Sequence, residues 1–217
     1  NEALYLRDPE STLLGKNIIQ NGILMIDEIG FEAFTFKKLA VEIGTTEASI
    51  YRYFENKHRL LIYLVAWYWS WLEYQIIFQT NNINEPIARL KRIIYLLGNE
   101  IKDDESTYHI NEEILQKIVI HEGAKSYLTK HVTEDNKDHL FKPYKDVCAL
   151  FANAILACNP NYPYPKSLAS TVIEMSHFQY FFLKHLPSLT DFNNSKDSNQ
   201  IVQYLEHLVF TSLTVKY

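Results

Sequence analysis

Apolar residues recur at steps of three and four along most of the chain, the spacing of helices that each bury one stripe. Leu14, Ile18, Met25, Ile26 and Ile29 outline a first helix over about Ser11–Ile29, with Gly22 allowing the following helices to come close. Gly30 ends it and Phe31 anchors the next loop. Thr35 is then a good N-cap, because its hydroxyl can accept a backbone N–H that the first turn leaves unpaired. Leu39, Ala40 and Ile43 share one face of the short helix that follows, and Gly44 sits where helices commonly end in the left-handed conformation. Thr45-Thr46 supplies a second N-cap, and the run Ala48 to Phe54 starts another helix at once. Helix, tight turn with glycine, helix is the helix-turn-helix pattern, whose second helix can enter a DNA major groove.

The fourth helix, predicted over about Asn56–Gln79, has two stripes side by side. Leu60, Leu64, Trp67, Trp71, Tyr74 and Phe78 form one, and Leu61, Val65, Tyr68, Leu72 and Ile76 the other. A helix apolar nearly all round must be enclosed by other helices. A membrane span is excluded, because the charge-free run Leu60–Leu72 is shorter than the roughly 20 residues a bilayer needs. Pro86 opens a fifth helix carrying Ile87, Leu90, Ile93, Ile94, Leu97 and Ile101, which ends at the acidic break Asp103-Asp104-Glu105. A sixth, near Asn111–His121, is followed by Gly123 and a shorter helix ending near His131. A seventh is expected over about Asp135–Cys158, with Phe141, Val147, Leu150, Phe151, Ile155 and Leu156 inward; Pro143 within it predicts a late start or a kink. After the stiff connector Asn159–Pro165, two helices close the chain, over Ser167–Leu186 and, beyond the polar loop Thr190–Ser198, Ile201–Thr214. The expectation is an all-α protein of about nine helices, with a three-helix head over residues 1–55 and a larger helical domain over 56–217.

Composition adds little to that picture and charge adds one detail. With 47% hydrophobic and 22% charged residues among 217, the chain is an ordinary folded protein rather than a disordered one. The net charge of −5 does not suggest a nucleic-acid partner by itself. Thr35–Leu61, however, holds Lys37, Lys38, Arg52, Lys57 and Arg59 against Glu42, Glu47 and Glu55, a local +2 that leaves −7 elsewhere. Cys148 and Cys158 fall on one predicted helix about 15 Å apart, beyond disulfide reach. Free thiols suit a reducing cytoplasm, and the first ten residues do not read as a signal peptide.

The chain resembles the DNA-binding domain of the TetR (tetracycline-repressor) family of bacterial transcriptional regulators. The matching residues are Ile18-Ile19, Gly22-Ile23, Ile26, Gly30-Phe31, Thr35 to Ala40, Ile43-Gly44 and Ile50 to Phe54, closed by Lys57 and Leu60. The resemblance implies a homodimeric, one-component regulator that binds double-stranded operator DNA and answers to a small-molecule effector. By that likeness the turn residues Thr45 and Thr46, with Glu47 and Ser49, face the groove. Thr35, Lys37, Lys38, Tyr51, Tyr53 and Lys57 touch phosphates, and Arg52 does either. Glu47 departs from the family, which more often has a neutral or basic residue there. It either reads a cytosine or complements the helix N-terminus.

Beyond Leu60 the resemblance carries the fold and regulatory logic but no ligand. Trp67, Trp71, Tyr74, Tyr95, Phe151 and Phe178 either line an effector pocket or are plain core. The 15 tyrosines would suit an amphipathic ligand with a few hydrogen-bonding groups. Val172, Met175, Phe178, Phe182, Leu205, Val209 and Leu213, on the last two helices, are the expected dimer surface, packing as a four-helix bundle. Histidines 109, 121, 131, 139, 177 and 185 lack metal-ligand spacing, so no metal or cofactor is expected. There is no GxSxG, no phosphate-cradling glycine loop and no carboxylate pair in an apolar setting, and so no sign of an enzyme. The alternative function is a helical ligand-binding or protein-interaction module whose DNA head has weakened.

Overall fold

The computed structural model describes residues 4–101, 107–193 and 199–214, and among these the regular structure is helical throughout. Ten α-helices follow in order: α1 (Leu13–Ala33), α2 (Phe36–Glu42), α3 (Glu47–Tyr51), α4 (Lys57–Thr80), α5 (Pro86–Gly98), α6 (Glu112–Glu122), α7 (Val132–Lys137), α8 (Lys142–Cys158), α9 (Pro165–His185) and α10 (Gln200–Thr214). Short 3₁₀ turns occur at Pro9–Ser11, Gly123–Ser126 and Pro187–Leu189. The acidic break at 103–105 and the end of the polar loop, 194–198, lie outside the described residues.

The chain divides into two compact units, Asn1–Tyr68 with Ile101–Lys142, and Trp69–Glu100 with Pro143–Tyr217. In the first, α1 is capped by the Thr12 hydroxyl, which accepts from Gly15 N at 3.0 Å. It buries Ile18, Ile19, Ile23 and Ile26, while Ile29, expected in that stripe, is 37% exposed. Gly22 faces Leu60, close enough that an added Cβ would sit 3.4 Å from its Cδ2. Gly30 adopts φ 76°, so the regular turns stop there as expected, although Phe31–Ala33 continue the hydrogen-bonded run. From Leu60 to Ala66 every residue of α4 is buried.

Residues 101–142 belong to this same unit and are fastened to the head by polar contacts. Glu122 Oε1 accepts from Phe31 N at 3.1 Å. Lys125 Nζ lies 2.7 Å from Glu122 Oε2 and 3.0 Å from Glu32 Oε1. Glu10 accepts from the Tyr63 hydroxyl at 3.0 Å and pairs with His109 Nε2 at 2.7 Å. Arg59 Nη1, in the first turn of α4, meets Asp135 Oδ1 of α7 at 3.1 Å.

Three helix boundaries differ from the periodicity. α5 stops at Gly98 rather than Ile101, and the Tyr180 hydroxyl donates to Gly98 O at 2.8 Å, satisfying a carbonyl the helix end leaves open. Gly123 opens a 3₁₀ turn, and the next helix starts only after His131. The long seventh helix is two helices, because Pro143 belongs in a first turn and His139 takes φ 58° between them. Pro143 thus produced the late start. The second unit packs α5, α8, α9, α10 and the end of α4 around Leu90, Ile93, Ile94, Val147, Phe151, Ile155, Val172, Ile173, Leu205 and Val209, all buried. Cys148 and Cys158 are free thiols on α8. No helix among the described residues is long and apolar enough to cross a membrane.

Candidate nucleic-acid interface

The two short helices form because their ends are locally satisfied. Thr35 Oγ1 accepts from Lys38 N at 3.2 Å, and Thr46 Oγ1 accepts from Ser49 N at 3.2 Å. Gly44 turns the chain between them with φ 65°. Thr45 N donates to Ala40 O at 2.9 Å, closing the turn. Leu39 and Ile50 are wholly buried and hold the pair together.

On this head Thr35, Lys37, Thr46, Tyr51 and Arg52 are exposed, and Thr45 and Glu47 are half-buried. Tyr51 is held edge-on against Phe36, ring centroids 5.1 Å apart. Ser49, expected at the groove, is tucked in: its Oγ lies 2.9 Å from Thr46 Oγ1 and accepts from Arg52 Nη2 at 3.0 Å. Tyr53, expected at phosphates, is 2% exposed, with its hydroxyl 2.7 Å from Thr12 Oγ1. The two lysines of that set nearest α1 are also engaged. Lys38 Nζ donates to Ala33 O at 2.8 Å. Lys57 Nζ donates to Phe31 O, Glu32 O and Phe34 O at 2.9, 3.0 and 3.1 Å and lies over the Phe31 ring. An ammonium has three donors, so Lys57 spends all of them on the carbonyl end of α1. Ser49 and Tyr53 are buried in the head, and Lys38 and Lys57 tie its surface to the end of α1. Arg7, which the periodicity does not single out, is exposed with its guanidinium 5.4 Å from the Tyr53 ring centre. A lone basic residue in an arm before α1 was the available signal.

The expected effector-lining residues differ widely in exposure. Phe151 is sealed in the core, Trp67, Trp71 and Tyr95 are half-buried, and Tyr74 and Phe178 are 62% and 44% exposed. Tyr74 stacks on exposed Phe78 instead, and Phe178 on Phe182. The aromatic of α4 that turns inward here is Trp69, about 200° around the helix from both Trp67 and Trp71 at ~100° per residue. Its ring lies 4.9 Å from Tyr144 and 5.6 Å from His177. The expected dimer residues also divide: Val172, Leu205 and Val209 are fully buried within the subunit's own core, so only Met175, Phe178, Phe182 and Leu213 keep surface for a partner. Among the described residues no group of three or more His, Cys, Asp or Glu side chains is placed to hold a metal ion.

Burial pushes the His177 imidazole from 6.5 down to about 4, against the opposing field of Glu174. Because the folded value lies below the ordinary one, the unfolded chain takes up the proton first. The stabilisation is therefore complete above pH 6.5 and is lost as pH falls towards 4, by roughly 2–3 kcal/mol at ~1.4 kcal/mol per unit. Thermal unfolding at several pH values should show this loss in the wild type and a flatter profile in His177→Gln. Parallel profiles for the two proteins would remove His177 as its source.

A helix-turn-helix head on an all-helical body is an architecture in which the second short helix can enter a DNA major groove. Residues 18–64 match the family described as bacterial regulatory proteins, tetR family. No curated protein matches it in sequence. Among solved structures, AibR in complex with isovaleryl coenzyme A and operator DNA is similar at TM-score 0.60 and 18% identity, over 89% of this chain and 96% of that one. The fatty acid degradation regulator FadR from Bacillus halodurans is similar at TM-score 0.60 and 16% identity, over 93% and 98%. The superantigen PfiT is similar at TM-score 0.60 and 15% identity, over 97% and 100%. At such identities the likeness is one of fold.

Proposed function

We propose that the chain is a homodimeric, ligand-responsive repressor that leaves its operator when a small amphipathic or hydrophobic effector binds. The functional division is a DNA-binding head over residues 1–55 and a regulatory and dimerisation domain over 56–217. The observation that carries the reading is α4. It starts six residues after the recognition helix α3 ends, and its residues belong to both compact units, 57–68 to one and 69–80 to the other. An effector held beside its second half would favour one tilt of this helix and so one spacing of the two heads. Only a spacing near 34–36 Å lets both recognition helices reach successive major grooves. The effector's differential affinity for the two states sets how far DNA binding shifts. Neighbours of the same fold that are named for operator DNA, a coenzyme A thioester and fatty acid degradation support a DNA-and-ligand reading.

Fluorescence anisotropy on the intergenic DNA beside the chain's own gene tests it. Binding should be tight and salt-sensitive, and Tyr51→Ala and Lys37→Ala should each weaken it about tenfold, with Lys37→Ala alone lowering the salt slope by about one. Light scattering should give a dimer. Salt-insensitive or absent binding would favour the second reading, a helical ligand-binding or interaction module with a weakened head. That reading has support in Glu47 and in the internal engagement of Lys38, Ser49, Tyr53 and Lys57.

A further inference from the structure

The short helix α3 carries one charged side chain that the protein itself does not use. Thr46 caps the helix by accepting from Ser49 N, and Ser49 Oγ is engaged by Thr46 Oγ1 at 2.9 Å and by Arg52 Nη2 at 3.0 Å. Lys38 and Lys57 are directed at backbone carbonyls, so neither neutralises a carboxylate here. Among the described residues Glu47 has no hydrogen bond or ion pair, and it is half-buried nonetheless. A carboxylate partly withdrawn from water without a partner costs folding free energy. With five residues and a threonine cap, α3 offers little uncompensated charge at its end for Glu47 to complement. Its neighbours Thr46 and Ala48 are exposed and short, and leave the carboxylate open to a base pair lying against the helix.

An ionised carboxylate only accepts hydrogen bonds. The major-groove amino donors are cytosine N4 and adenine N6, and adenine sets the acceptor N7 beside its amino group whereas cytosine does not. Guanine turns two acceptors to the groove, and thymine an acceptor and a methyl. Cytosine is therefore the base that an unpartnered glutamate selects. We infer that Glu47 determines operator specificity by accepting from the N4 amino group of a cytosine in the half-site that α3 reads. The inference rests on the DNA-binding reading above and names a base in the operator. Glu47 gives discrimination at a cost in affinity, because phosphates repel its charge on every sequence and only a cytosine opposite it offsets that repulsion.

The test selects double-stranded DNA from a randomised pool on the full-length wild type and on Glu47→Gln, and sequences what each retains. Wild-type sites should share a C·G pair at one position where Glu47→Gln sites carry A·T, since glutamine pairs bidentately with adenine N6 and N7. The other positions should be unchanged. Affinities are then compared at one salt concentration. Replacing that C·G pair by T·A should weaken the wild type about tenfold or more and Glu47→Ala by less than about twofold. On random-sequence DNA, Glu47→Ala should instead bind about twofold or more tighter than the wild type, because the repelled charge is gone. A loss on the selected site with a gain elsewhere is not what a misfolded variant produces. Wild-type sites with no fixed C·G pair, the same sites retained by Glu47→Gln, or equal losses on the T·A site for wild type and Glu47→Ala would overturn the inference and leave the DNA-binding reading standing. No shared sequence of any kind among the wild-type sites would overturn both.

Discussion

Arg59→Met is expected to destabilise the protein by about 3 kcal/mol, since removing one partner of a buried ion pair leaves the other charge uncompensated. Asp135 is nearly inaccessible, with 6% of its side chain exposed, and Arg59 Nη1 is 3.1 Å away. The figure is set at the low end of the usual range because 22% of the Arg59 side chain is exposed and its contact with Glu55, at 3.8 Å, is a surface one. The double variant Arg59→Met/Asp135→Leu should recover most of the loss, because no lone charge stays behind. Urea unfolding of the four members of the cycle measures both. A single variant within about 1 kcal/mol of wild type would mean the pair contributes no more than a surface ion pair does. The pair joins the first turn of α4 to α7, so the same variants should also alter operator affinity if α4 transmits the effector signal.

Lys57→Ala is expected to cost about 2–3 kcal/mol and to weaken operator binding by more than tenfold, although the lysine need not touch DNA. Its ammonium gathers three carbonyls from the end of α1, where the helix dipole is negative and the last C=O groups lack intrahelical partners. Without it the Phe31–Phe34 turn loses its anchor, and that turn sets where Thr35 starts α2. Lys57→Arg should not restore the wild type, because a planar fork cannot converge on three carbonyls as an ammonium can. Loss of DNA affinity with unchanged thermal stability would instead assign Lys57 directly to the phosphates.

The local chemistry of the head is legible in the sequence. Thr35, Gly44 and Thr46 act on groups within a few residues of themselves, so their types and spacing suffice to write helix, turn, helix. The same holds for Pro86, whose missing N–H suits a first turn; Pro143 marked a late start or a kink, and the structure has the late start. What each basic or aromatic side chain of the head touches is not legible there. Lys57 reaches carbonyls 23 to 26 residues earlier, and the Tyr53 hydroxyl meets Thr12 41 residues back. Spacing along the chain carries no record of such pairs.

α4 shows the division most clearly. Its sequence determined that it is a helix; the enclosure expected from apolar residues on nearly every side holds for Leu60–Ala66 but not for the second half, where Tyr74, Ile77 and Phe78 are exposed. The same uniformity left its rotation undetermined, because a helix without a polar face has no phase to read. Only the packing of α8 and α9 decided that Trp69 turns towards Tyr144 and His177 while Tyr74 and Phe78 are exposed. Likewise, the apolar stripes of α9 and α10 marked a buried face. Tertiary structure decided that Val172, Leu205 and Val209 spend that face inside the subunit, because burial in one's own core and burial against a partner impose the same pattern on a sequence.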